Sequence, residues 1–279
     1  MLISGDVDHN IGNLDCRGSL KVTGHVKAGF VLGVDGDLEV NGNVEDCSIM
    51  VKGSIMIKGG FFGNGTGKLV AEGNITLKFA EGQHIIAGGD VTVGGELVNC
   101  QVTAGGSVFV KGKRGKIVGG DTRAIKEIRS AILGTDAGTL TVLRVAFNSE
   151  LMHKYYEINR EMIRLRTDKQ RVKDALYGLY RLQMDGKLSP DRVEALNKLE
   201  AFQREFPVNI ESLESQRAEI EAQVRELRDA RIIAEEILFS GVRAYFGLIY
   251  RDVMEDLREC KLLLDGHQIV MTQATAPQR

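Results

Sequence analysis

The run Gly63, Asn64, Gly65, Thr66, Gly67, Lys68 has the composition of a phosphate-binding loop. In such a loop backbone amides cradle the phosphate and the lysine reaches it. The motif also needs a glycine five residues before the Gly-Lys pair and a hydroxyl residue after the lysine. Those positions hold Phe62 and Leu69, so the run reads as slack in a long repeat and not as a nucleotide site. Asp6, Asp37 and Asp90 recur after glycines at what looks like one corner of a repeat. A stacked row of carboxylates there would suit Ca²⁺ or a sugar cleft. Ser and Asn replace Asp in the other copies, which fits a solvated turn better.

The densest positive charge is the turn Lys111, Gly112, Lys113, Arg114, Gly115, Lys116. Lys111, Lys113, Arg114 and Lys116 are the candidate partner-binding residues, with an acidic protein surface as the matching chemistry. Base stacking would need aromatic residues, and only Phe109, on an outward phase, lies nearby. His9, His25, His84, His153 and His267 show no ligand spacing with one another. No catalytic, cofactor or metal site is expected. Cys16, Cys47, Cys100 and Cys260 contain no CxxC pair and read as buried, reduced thiols. Cys16, Cys47 and Cys100 each follow a glycine (Gly5, Gly36, Gly89) by 11 residues, which predicts one shared inward ladder.

These residues sit on a repeated frame. From Gly18 onward the pattern glycine, polar, apolar, any, apolar recurs at intervals of 18, 17, 20, 16 and 17. It reads Leu20 and Val22, Leu38 and Val40, Ile55 and Ile57, Ile75 and Leu77, Val91 and Val93, Val108 and Val110. Gly5, Asp6, Val7 looks like a partial first copy. Runs of three to five residues cannot bury an apolar face alone, but stacked on the next copy they can. The expected fold is a parallel β-solenoid over 1–147, a three-sided and right-handed β-helix. Intervals that are not multiples of six argue against the left-handed hexapeptide form.

Glycine then almost vanishes: 28 of 33 lie in 1–147 and two in 148–240. Leu151, Tyr155, Ile158, Met162, Leu165, Val172, Leu176 and Leu179 follow a heptad seam broken by Lys169. A stop at 184–190 precedes a second series, Leu196, Leu199, Phe206, Ile210, Leu213, Ile220, Val224 and Leu227. Ser189 and Pro190 suit its start, and Pro207 should kink or break it. Residues 148–238 are therefore expected to form a long antiparallel α-helical coiled-coil hairpin. Residues 239–271 return to strand, with a turn at Asp265, Gly266, His267, and should cover the end of the column near 144–147. Residues 272–279 read as a disordered tail.

The balance of 36 basic and 38 acidic residues argues against nucleic acid or an anionic membrane as the ligand. No apolar run is long enough to span a bilayer, and the N-terminus lacks signal-peptide regions, so a cytoplasmic location is expected.

The order Gly5-Asp6-Val7, Thr23-Gly24-His25-Val26, Gly88-Gly89-Asp90-Val91, Ala104-Gly105-Gly106-Ser107 and Lys111 to Gly120, followed by Ile132-Leu133-Gly134-Thr135-Asp136, resembles the flagellar assembly protein A family. The resemblance covers about 5–270. It implies a bacterial, cytoplasmic protein linked to flagellar assembly or cell-pole organisation, without established catalysis. An extra N-terminal domain is common in that family, whereas Met1 here leads almost at once into the solenoid. The solenoid also looks like that of polymer-forming bactofilins, which implies self-association into a homo-oligomer. The expected function is a non-enzymatic scaffold acting through protein contacts. Alternatives are a signalling adaptor that reads a regulatory protein through the hairpin, and a carbohydrate-active β-helix enzyme.

Overall fold

A computed structural model of the chain describes residues 1–146, 149–226, 229–266 and 268–273. The predicted His267 turn residue and most of the predicted tail, 274–279, lie outside them. Two compact units result, Met1–Phe147 with Leu227–Arg279, and Asn148–Glu226.

The first unit is a β-solenoid. Val40, Ile57, Leu77, Val93 and Val110 lie directly over one another in parallel register, as the repeat requires. Alternation then buries every second residue: Val91 and Val93 are inward while Thr92 is half-exposed. A second side carries an unbroken inward file of nine residues: Val7, Val26, Val44, Phe61, Ala80, Leu97, Ile117, Leu133 and Leu238. All are at most 1% exposed, with small Ala80 next to large Phe61 in the file. The third side stacks Leu32, Ile49, Leu69, Ile85 and Val102, so the coil is three-sided. At about 4.8 Å per step nine stacked strands rise about 40 Å.

The repeat phase differs from the expectation at its start. Gly5 donates no frame to the Gly18 series; the Gly24 amide bonds the Gly5 carbonyl at 2.9 Å, and Gly42 and Gly59 continue that file. Gly18, Gly36, Gly53, Gly73, Gly89 and Gly106 form a separate corner file. Each coil has two corners of similar composition, and the first pattern in the chain belongs to the other one. Counting from Gly5 therefore misplaces Cys16. It aligns with Val34, Val51 and Ala71. Cys47 and Cys100 instead precede Ile49 and Val102 by two residues. All three thiols are buried, but on two ladders.

The second unit is an antiparallel hairpin of α1 (Ser149–Met184) and α2 (Pro190–Glu226). Gly186, at φ +67°, ends α1: its amide bonds the Gln183 carbonyl at 3.1 Å and the Lys187 amide bonds that of Leu182 at 2.9 Å, a Schellman stop. Pro190 opens α2 at the one position where a missing amide costs nothing. Val172, Leu176, Leu196 and Phe206 form the buried seam, with Leu165, Leu179, Leu188 and Leu199 packed on it. Pro207 does not break α2. Its neighbour Phe206 is 1% exposed and anchors the turn, and the Gln203 carbonyl that loses its donor lies on an exposed residue. Among the described residues no helix is long and apolar enough to cross a membrane.

The hairpin ends earlier than 238. Arg231–Leu238 is a strand, paired in parallel with Glu127–Leu133, and Val242–Phe246 pairs in parallel with Thr141–Val145. The helices thus interrupt a solenoid that resumes for a further coil. The sequence Arg-Ile-Ile-Ala-Glu-Glu-Ile-Leu suits a helix as well as a strand; pairing with the preceding coil decides it. Only then does the chain reverse. Ile249–Asp252 and Leu257–Asp265 add antiparallel strands to the last coil, and Gln268–Gln273 pairs with Leu257–Asp265. This antiparallel end closes the parallel column.

Candidate functional site

The corner aspartates are not a ligand site. The corner after the Gly18 file holds Ser19, Asp37, Ser54, Asn74, Asp90 and Ser107. Each of the first five side chains accepts a hydrogen bond from the backbone amide of the next residue in that file, at 2.7–3.1 Å. The Gly5 corner repeats the device. The His25 amide donates to Asp6 Oδ1 (2.7 Å), the Asn43 amide to His25 Nδ1 (2.9 Å) and the Gly60 amide to Asn43 Oδ1 (2.9 Å). Ser, Asp, Asn and neutral His share the one property this position needs, a side-chain acceptor of short reach. Asp6 is therefore on a different corner from Asp37 and Asp90, which are themselves separated by Ser54 and Asn74.

The phosphate-like loop is likewise occupied from within. It joins the strands Ile55–Phe62 and Lys68–Ala71. The amides of Asn64 (2.6 Å), Thr66 (3.3 Å) and Gly67 (3.2 Å) point at the Asp46 carboxylate, and Gln83 Nε2 adds a fourth donor at 2.7 Å. Burial acts against the Asp46 charge, but these donors outweigh it and hold the carboxyl below its usual range. An anion-binding nest is present, and its anion is the protein's own. Sequence reasoning missed Asp46 because its partners lie 18–37 residues further along the chain.

Burial pushes the thiols away from reactivity: Cys47 and Cys260 rise to about 11, and Cys100 also rises. Among the described residues no group of three or more His, Cys, Asp or Glu is placed to hold a metal ion.

The basic turn is an outward loop between the strands Val108–Val110 and Lys116–Val118. The Lys111 amide is fixed to the Val93 carbonyl (2.7 Å), and the Gly115 amide closes the turn on Gly112 (2.9 Å). Gly112, at φ +116°, could not carry a side chain: a Cβ there would stand 2.9 Å from the Gly94 carbonyl oxygen. Lys111, Lys113 and Arg114 are exposed and make no ion pair among the described residues. Lys116 is half-buried and neutralised by Glu96 at 2.8 Å. So the structure groups three unpaired cations on one hydrogen-bonded turn and assigns the fourth to the frame. Phe109, between buried Val108 and Val110, faces outward as expected.

No curated protein and no solved structure matches the chain. One family does, over residues 1–269 of 279, and it is the one described as Flagellar Assembly Protein A beta solenoid domain. The stacked coils, the inserted helices and the strands after them up to the start of Gln268–Gln273 fall inside that match, and the chain belongs to this family.

Proposed function

We propose that the chain is a non-enzymatic assembly factor, acting in bacterial flagellar assembly or cell-pole organisation from the cytoplasm through protein contacts. The observation that carries this is the use of its polar side chains. The acids, amides and hydroxyls that recur along the solenoid are occupied by backbone amides of the neighbouring coil, whereas the three cations of the loop at 111–114 have no ion-pair partner among the described residues. Three cations on a preorganised turn suit an acidic protein surface, because fixed charge speeds encounter and excludes basic partners. The hairpin offers a second, separable contact surface.

The test is affinity capture from flagellated cells with the full chain as bait, beside the triple variant Lys111→Glu, Lys113→Glu, Arg114→Glu. A flagellar or polar protein captured by the wild type and lost with the variant supports the role. Equal capture by both sinks the docking assignment, and turnover of a carbohydrate substrate by the purified chain would replace the reading altogether.

A further inference from the structure

The hairpin has a second apolar stripe that its own seam does not use. Tyr156, Ile163, Tyr177 and Met184 are 61%, 67%, 74% and 90% exposed. They stand on α1 at intervals of seven, with Gln170 filling the middle position. Tyr156, Ile163, Gln170 and Tyr177 each follow a seam-phase position (155, 162, 169, 176) by one residue, a turn of about 100°, so the stripe lies to the side of the seam, with Gln170 and Tyr177 along a groove that α2 borders at Gln203. A heptad spacing kept over five positions is what a facing helix reads.

The geometry points to a second copy of this chain as the occupant, with the two α1 helices parallel and in register. Charge decides the direction. The stripe is flanked on one side by Asn159, Arg166, Lys173 and Tyr180, and on the other by Arg160, Thr167, Asp174 and Arg181. Parallel pairing sets one flank against the other at equal height, so Lys173 meets the second copy's Asp174, while Tyr180 keeps its hydroxyl on Glu200 of its own α2 at 2.7 Å. Antiparallel pairing sets each flank against itself, placing Arg160 against Arg181; Arg166, which would face Lys173, is already paired with Glu214 of its own α2 at 3.3 Å. Gln170 faces Gln170 in register, and its amide already donates to Asp174 on its own helix at 2.8 Å, leaving the carbonyl oxygen for the second copy. Four large side chains at these exposures present roughly 600 Å² per copy. About 1,200 Å² in total lies at the lower edge of stable interfaces, so association in the micromolar range is expected. This inference does not rest on the docking role of the basic loop.

Sedimentation of the full chain from about 1 to 200 μM should show monomer passing to dimer. The pair Ile163→Asp and Tyr177→Asp should move the midpoint upward by at least tenfold, with unchanged circular dichroism. A monomer throughout, or a dimer insensitive to the pair, overturns the proposal. Direction is read separately by disulfide trapping, since the native cysteines are buried. Tyr156→Cys alone should cross-link to itself. Cross-linking only between Tyr156→Cys and Met184→Cys chains would mean antiparallel pairing and would overturn the register.

Discussion

Asp46→Ala removes the acceptor on which four donors converge. The cost follows from where each donor is left. Asn64 and Thr66 are exposed, so water replaces the carboxylate at their amides. Gly67 is buried and Gln83 is 1% exposed, so their N–H groups stay unpaired. At about 1–3 kcal/mol for each buried donor left without a partner, the variant should lose about 3 kcal/mol in urea unfolding. The carboxyl's folded-state value lies below its unfolded one. Its contribution is therefore complete above the unfolded value of about 4 and declines as pH falls through the lower, folded value. The difference between wild type and Asp46→Ala should be full at pH 7 and shrink in acid. Gln83 Oε1 has no partner among the described residues, so Gln83→Leu removes an orphan acceptor along with the donor. The double variant should then lose less than the sum of the two singles. A loss under about 1 kcal/mol, equal at neutral and acid pH, would refute the idea that this loop is held by its internal anion.

Other outcomes follow from the same structure. His25→Asn keeps an acceptor for the Asn43 amide and should be near neutral, while His25→Leu should cost about 1 kcal/mol, read from unfolding midpoints. Cys47 and Cys260, at about 11, are about a thousandth thiolate at pH 8; iodoacetamide should label them slowly when folded and quickly in urea, followed by mass. The triple charge reversal at 111, 113 and 114 should leave the melting temperature within a degree or two, since those side chains are exposed.

The solenoid was legible because its physics is local and repeated. A glycine, an acceptor and two alternating apolar residues suffice for a stacked coil, and Val40, Ile57, Val93 and Val110 lie on one axis as that pattern demands. The hairpin was legible for a similar reason, since Gly186, Pro190 and the 3–4 seam are all short-range signals. What sequence reasoning missed depends on partners far along the chain. Gly5 looks like Gly18 until the Gly24 carbonyl file shows which corner it occupies. Arg231–Leu238 looks helical until Glu127–Leu133 pairs with it across the insertion. The basic turn was visible as four charges, but only the structure separates Lys116, held by Glu96, from the three that remain.

The most direct test concerns the separability of frame and contact surfaces. Residues 150–226 are replaced by a short flexible linker, and capture of the full chain's partners is compared with that by the wild type. The solenoid resumes beyond the helices through its own pairing. The shortened chain should therefore keep its β circular dichroism and its urea midpoint, and should still capture whatever needs the loop at 111–114. A shortened chain that no longer unfolds cooperatively, or that stays folded yet loses every partner the charge-reversed variant also loses, would contradict the account.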